Sequence, residues 1–341
     1  MWFEMISPRR GVAARLSRRS TALVLAATLA AIGSLAAPPA AMSQDWPARN
    51  VTMIVPFPPG GNTDSMARIL AQKLSVKFGR SFIVENRMGA SGSIGMTDAV
   101  RAKPDGYTLI FGAFQQISVL PVTEKVNYDP KKDLAYISIF GEGPFVFAVH
   151  ADVPAKSLNE FIAYAKSKPG ALAYASGGVY SGAHLVAALF FSRAGVNLNH
   201  VPYRGGGPAI ADLLGGHVQA YFGNASELIP ISTDPRVRIL ATSSAKRMEQ
   251  LPGVPTVSEL YPGFVLTAWN GLMAPAKTPQ IVKDKLEAAT IEAAHDPQVV
   301  KALGNLGIAA VGSTSQDFSA RIASETPILA EAIKAAQSSG P

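Results

Sequence analysis

Apolar positions along this chain fall into two alternating kinds of segment. Short runs such as "VTMIV" (51–55), "SFIVEN" (81–86) and "YTLIFG" (107–112) are rich in β-branched and aromatic residues and predict buried strands. Between them lie longer stretches whose apolar residues recur every three or four positions. In residues 64–78, Met66, Ile69, Leu70 and Leu74 share one helical face. "GASGSIGMTDAVRAK" reads as a Gly-rich loop entering a helix, ended by "PDG". This strand–helix–strand rhythm predicts a parallel or mostly parallel sheet covered by helices.

The rhythm restarts after "FVFAVH" (145–150). "SLNEFIAYAKSKPG" predicts a helix with Ser157 as N-cap and Glu160 three residues later, a capping box. "ALAYAS" follows as strand, "GGVYSG" as loop and "AHLVAALFFSRAG" as helix, closed by Gly195. "HVPYRGGGPAIADLLGG" repeats the plan, with Pro208 suited to a first helical turn and Gly215 to a C-cap. "VQAYFG" and "VRILATS" are strands, and the rest, from "TPQIVKDK" onwards, is mainly helical. Two α/β lobes, with the C-terminal helices returning to the first, are the simplest arrangement. Crossings between them are expected at residues 144–150 and 264–274.

Composition adds an export signal. The chain has 341 residues, 48% hydrophobic and 16% charged, which is enough for two globular domains. Arg9, Arg10, Arg15, Arg18 and Arg19 precede the apolar "TALVLAATLAAIGSLAA", and small residues with Pro38 and Pro39 follow. Residues 1–43 therefore read as a secretory signal peptide, cleaved between residues 37 and 45. The Ala-rich apolar part is marginal for a spanning helix, which disfavours a retained anchor. "SRRSTAL" partly resembles a twin-arginine signal, although the residues after the arginine pair fit poorly. The leader holds five Arg and one Glu, so the formal +7 falls to near +3 in the exported chain. With no basic run beyond residue 43, nucleic acid is excluded as a partner. The absence of cysteine excludes disulfides, thiol nucleophiles and Cys-ligated metals.

Three segments share one plan of strand, Gly-rich loop and helix start: "PFPPGGNTD", "ASGGVYSGAH" and "YRGGGPAI". In an open α/β sheet such loops lie beyond the strands' carboxyl ends, where ligands bind. Unpaired N–H groups and a positive dipole end suit a carboxylate, phosphate or sulfate there. Catalysis finds little support. No Gly-Lys-Ser/Thr follows these loops, and G-x-S-x-G is absent, since "GASGS" and "GVYSG" miss the spacing. Ser181 and His184 stand three apart at a helix start, where a hydroxyl caps and an imidazole packs. The five histidines, His150, His184, His200, His217 and His295, show no ligand spacing, so no metal or other cofactor is expected. Glu85, Asn86 and Arg87 form a polar strand end, read as structural.

Six separated motifs carry a resemblance across the exported chain: "WPARNVTMIVPFPPGGNTDSMARILAQKL", "IVENRMGASGSIG", "KPDGYTLIFG", "HVPYRGGGPAIADLLGGHVQAYF", "LPGVPTVSE" and "WNGLMAPAKTP". In this order they closely resemble the Bug-type solute receptors (TctC-like) of the tripartite tricarboxylate transporter family. The resemblance implies a two-lobed periplasmic binding protein of α/β class, type II-like, each lobe a mixed sheet flanked by helices and joined by crossing strands. On this chain the first lobe is expected at 44–145 plus 270–341 and the second at 146–269. It further implies a non-enzymatic, monomeric receptor that traps a small organic carboxylate and delivers it to a membrane permease. Two other classes stand beside this one: a sensor feeding a signalling partner, and a secreted α/β hydrolase.

The family's carboxylate is gripped by two loops, often through bridging waters. Carried over, the first supplies Phe57, Pro59, Gly60, Gly61, Asn62 and Thr63, through backbone N–H groups and the Thr63 hydroxyl. The second supplies Ser176, Gly177, Gly178 and Ser181. Asp64 is expected to cap the helix rather than meet an anion. Phe114, Gln115 and Gln116, just past a strand end, together with Tyr203 and Asn224, complete the expected set. Gly223 stands where the family commonly carries Asp, and Asp64 is the one acid close to the inferred loops. The expected ligand therefore has one or two carboxylates and no amine, with its body against Phe114 and Trp269. Arg204 is assigned either to a second carboxylate or to structure, and Phe57, Phe114, Tyr180 and Trp269 are equally candidates for core.

Overall fold

The computed structural model describes residues 46–338, and the expected export leader lies outside them. The first apolar run forms β1 (Val51–Val55), and α1 (Asn62–Phe78) begins two residues before the start read from periodicity. Gly79 ends α1 at φ 63°, its N–H bonded to the Ser75 carbonyl. β2 (Phe82–Asn86), α2 (Ser93–Val100) and β3 (Thr108–Ala113) follow, and β1 pairs in parallel with both β2 and β3.

A 17-residue strand, β4 (Leu134–His150), links this unit to the next. Up to Pro144 it runs antiparallel to β9 (Thr267–Pro275), which in turn pairs antiparallel with β3. From Phe145 onwards β4 instead pairs antiparallel with β7 (Ala220–Asn224) and β8 (Val237–Thr242). β5 (Ala173–Ser176) pairs in parallel with β7 and with β6 (Asn199–Pro202), giving the order β2-β1-β3-β9-β4-β7-β5-β6. The molecule is thus two α/β lobes joined by crossing strands. Each sheet is mixed rather than mostly parallel, because β4 and β9 cross in opposite directions.

Helices cover both sheets: α3 (Leu158–Ser167), α4 (Gly182–Ala194) and α5 (Gly206–Leu214) in the second unit, then α6 (Gln280–Ala294) and α7 (Pro297–Gly304). Ser157 caps α3 by accepting from Glu160 N, while the Glu160 carboxylate takes the Lys156 N–H, so the capping box is displaced by one residue. Met53, Leu70, Leu74, Phe111 and Leu286 share one core. Phe147, Phe161, Phe190 and Phe222 share another, with Phe147 within 4.9–5.4 Å of the other three rings. The last helix, α8 (Ser315–Ser338), buries Phe318 against Trp269 near its start. Near its end Glu331 meets Arg193 of α4 in a two-pronged pair.

Candidate functional site

A cavity of about 850 Å³ lies beyond the carboxyl ends of β1, β5 and β7, walled by both lobes. On one side, β1 runs into the Pro- and Gly-rich loop before α1. The loop is braced from behind. Asn86 at the end of β2 donates to the Phe57 carbonyl at 3.0 Å and to Asp64 Oδ1 at 2.9 Å. Asp64 Oδ2 accepts from Gly60 N and Arg68 Nε, each at 2.9 Å. Burial works against the Asp64 charge, yet the donors Arg68, Gly60 and Asn86 together hold its carboxyl below the usual range. Gly61, the N-cap of α1, brings no capping side chain. The first N–H groups of α1, at Asn62 and Thr63 on the cavity wall, therefore have neither an intrahelical nor a capping partner.

The facing loop is built around two buried imidazoles. Ser176 Oγ accepts from Gly178 N at 3.1 Å and meets His200 Nε2 at 2.7 Å. Tyr180 N donates to His184 Nδ1 at 3.0 Å, holding Tyr180 at φ 56°. This bond needs a bare Nδ1, so the neutral His184 ring carries its proton on Nε2. The two rings stack at 3.9 Å and within 5° of parallel. Burial, and secondarily the neighbouring His200, pushes His184 down to about 3; burial alone pushes His200 down to about 4. His184 Nε2, His200 Nδ1 and Tyr174 OH are buried and unpartnered. Ser181 caps α4 by accepting from His184 N, which leaves the N–H groups of Gly182 and Ala183 uncapped on the cavity wall. Two helix N-termini from opposite lobes therefore open into one cavity.

Of the residues expected in the site, Phe57, Pro59, Gly60, Gly61, Asn62, Thr63, Phe114, Gln115, Gly177, Gly178, Ser181 and Asn224 line this cavity, and so does Arg204. Three do not. Gln116 is fully buried, accepting from Ala113 N and donating to the Ser91 carbonyl, so it braces the wall from behind. Ser176 is buried beneath its loop in the contacts above. Tyr203 spends its hydroxyl on Asp212 at 2.5 Å. Thr63 lines the cavity, but its hydroxyl donates to Asn270 Oδ1 at 2.6 Å and has no proton left for a ligand. Trp269 is fully buried behind Phe114, edge-on at 6.3 Å, and so does not meet a ligand's body.

Other wall residues were not legible as such. Asn270, in β9, accepts from Thr63 through Oδ1, which leaves its amide N–H groups to the cavity. Glu124 and Glu227 also line it, so Asp64 is not the one acid near the loops, and the case against an amine loses its premise. Glu227 Oε2 accepts from Tyr221 OH at 2.8 Å and Asn224 N at 3.0 Å, and Oε1 accepts from Asn224 Nδ2 at 3.1 Å. Two bonds bridge the lobes beside the cavity: Gln115 Nε2 donates to the Tyr180 carbonyl at 3.3 Å, and Ser226 Oγ donates to Asn62 Oδ1 at 3.2 Å.

Known proteins share both sequence and architecture with this chain. The family profile described as tripartite tricarboxylate transporter family receptor matches residues 66–336. Protein BugT of Bordetella pertussis is 37% identical over 301 residues, covering 86% of this chain and 91% of that protein. Among solved structures, R. palustris Rpa4515 with adipate is 31% identical, with a TM-score of 0.79 over 86% of this chain and 98% of the other. MatC (Rpa3494) from Rhodopseudomonas palustris with bound malate is 29% identical, with a TM-score of 0.76 over 84% and 100%. These are solute-binding receptors rather than enzymes. With two crossing strands, a cavity between two mixed-sheet lobes and a family match over most of its length, this chain belongs to the tripartite tricarboxylate transporter family of receptors.

Proposed function

We propose that this chain captures a small organic mono- or dicarboxylate between its lobes, as a monomer in the periplasm, and hands it to the membrane permease of a tripartite tricarboxylate transporter. The observation that carries this reading is the pair of helix N-termini, α1 and α4, whose first N–H groups, at Asn62 and Thr63 and at Gly182 and Ala183, open without a partner into one cavity. Each offers unpaired N–H groups and a partial positive charge, which suit a carboxylate without a formal counter-ion. The adipate and malate held by the two R. palustris relatives support the ligand class. The lobes are taken as 44–145 with 270–341 and as 146–269, in keeping with the change of β4's partners at Phe145.

A thermal-shift screen over organic acids tests this. An acid at about 100 times its Kd stabilises the fold by ~2.7 kcal/mol, which raises the Tm by several degrees. A screen in which no carboxylate moves the Tm would overturn the reading. Export is tested separately by intact mass: protein recovered from the periplasm begins between residues 38 and 46, whereas full-length chain in the membrane fraction would refute cleavage.

A further inference from the structure

We infer that Glu227 selects the group at the ligand's far end, keeping a second carboxylate away from the Tyr221–Asn224 wall and accepting a hydrogen bond from a ligand hydroxyl or ammonium. This deepens the carboxylate-receptor reading and rests on it. A carboxylate has about four acceptor positions. Glu227 Oε2 takes two donors, Tyr221 OH and Asn224 N, whereas Oε1 takes Asn224 Nδ2 alone. Acceptor capacity therefore remains on Oε1, in a residue of the cavity wall.

Two glycines put that carboxylate in place. A Cβ at Gly206, in the first turn of α5, would come within 2.5 Å of Glu227 Cδ and Oε1. The Glu227 carboxylate thus lies against the first turn of α5, whose Gly205, Gly206 and Gly207 also line the cavity. A Cβ at Gly223 would collide with the ring of Tyr221, the residue whose hydroxyl fixes Glu227. Glycine in place of the Asp that the family resemblance leads one to expect does not leave the wall without an acid. It makes room for the tyrosine that orients one.

Charge balance points the same way. The charged side chains on the cavity wall are Glu124, Arg204 and Glu227, and no cation pairs with Glu227 among the described residues. Arg204 is exposed, so water and salt screen it. The α1 and α4 ends each supply about half a positive charge, enough for one carboxylate. A dianion would bring its second charge towards Glu227, and like charges a few ångströms apart repel strongly when partly desolvated. A monoanion or zwitterion with a far-end donor meets no such repulsion.

Calorimetric titration of the exported protein with straight-chain acids of three to six carbons, each ending in methyl, hydroxyl, ammonium or carboxylate, tests this. At the chain length that binds best, the hydroxyl- or ammonium-ended acid is expected to bind about tenfold tighter than the methyl- and carboxylate-ended ones. Ammonium ahead of hydroxyl identifies charge recognition, and equal binding identifies hydrogen bonding alone. In Glu227→Gln the advantage of the ammonium-ended over the carboxylate-ended acid should fall about tenfold or more. A dicarboxylate that binds tightest to the natural protein overturns the inference, as does an unchanged ranking in the variant. Should the variant not fold, the natural protein's ranking decides alone. Failure of every acid in this series and in the wider screen would instead sink the carboxylate-receptor reading beneath it.

Discussion

His184 and His200 are the residues whose charge state the second loop depends on. Tyr180 holds a left-handed backbone, which costs a non-glycine residue about 1 kcal/mol, and the bond from its N–H to bare Nδ1 of His184 offsets that cost. Protonation of Nδ1 would remove the acceptor and put charge between stacked rings 3.9 Å apart. Both imidazoles titrate below their unfolded value of 6.5, at about 3 and about 4, so the fold favours their neutral forms. Their contribution is therefore fully present above pH ~6.5 and is lost as pH falls from there towards 4. At pH 4.5 the loss is about 2 to 3 kcal/mol for each ring. Urea unfolding at pH 7.5 and 4.5 should show it, and His184→Leu should lower stability at pH 7.5 while flattening the slope. An unchanged slope in that variant would show that the pair does not govern acid sensitivity.

Between elements, two hydrogen bonds join the lobes beside the cavity, Gln115 to the Tyr180 carbonyl and Ser226 to Asn62. Each joins a turn of one lobe to a turn of the other, so neither forms when the lobes part. Removing both in Gln115→Ala/Ser226→Ala should speed ligand release by about tenfold with little change in the association rate, as each neutral bond contributes about 0.5 to 1.5 kcal/mol. Stopped-flow measurement decides, and an unaltered release rate would rule out these bonds as the latch. The elements themselves were largely legible: β1 from its apolar run, α1 from its periodicity, and the two facing loops of the cavity wall from their glycines. Side-chain direction was not. Gln115 and Gln116 are neighbours, yet one reaches across the cavity and the other is sealed behind it, because the chain turns into a wide helical turn directly after β3. Glu227 was missed for a related reason. Three residues after Asn224, it carries the spacing of a capping box, and that local role hides the cavity it faces. Asn270 sits in a buried strand, and only the pairing of β9 with β3 and β4 shows which side it serves.

In the molecule as a whole, β4 and β9 connect the lobes, and a single guanidinium from α8 ties those strands together. Arg321 Nη2 donates to Thr267 Oγ1 at 2.6 Å and pairs with Glu142 at 2.9 Å, while its Nε pairs with Glu325. Glu142 stands opposite Trp269 across the β4–β9 ladder, and Trp269 Nε1 donates to Glu325 at 2.8 Å. Both strands and the C-terminal helix therefore meet at the point where β4 changes partners. Burial raises the Glu325 carboxyl despite the opposing pull of Arg321. Arg321→Met would leave Glu142 and Glu325 without their cation, and the unpaired, buried Glu325 charge should cost about 2 kcal/mol in urea unfolding near pH 7.5. The sign of its pH dependence follows. With the folded-state value of Glu325 raised further above the unfolded one, the penalty applies to the ionised form and disappears as the group takes up a proton. The gap between the variant and the natural protein should therefore narrow as pH falls from 7.5 to 5, opposite in sense to the histidine effect. A gap that stays constant over this range would mean that Arg321 acts through packing of its stem and not as the cation that clamps the crossing.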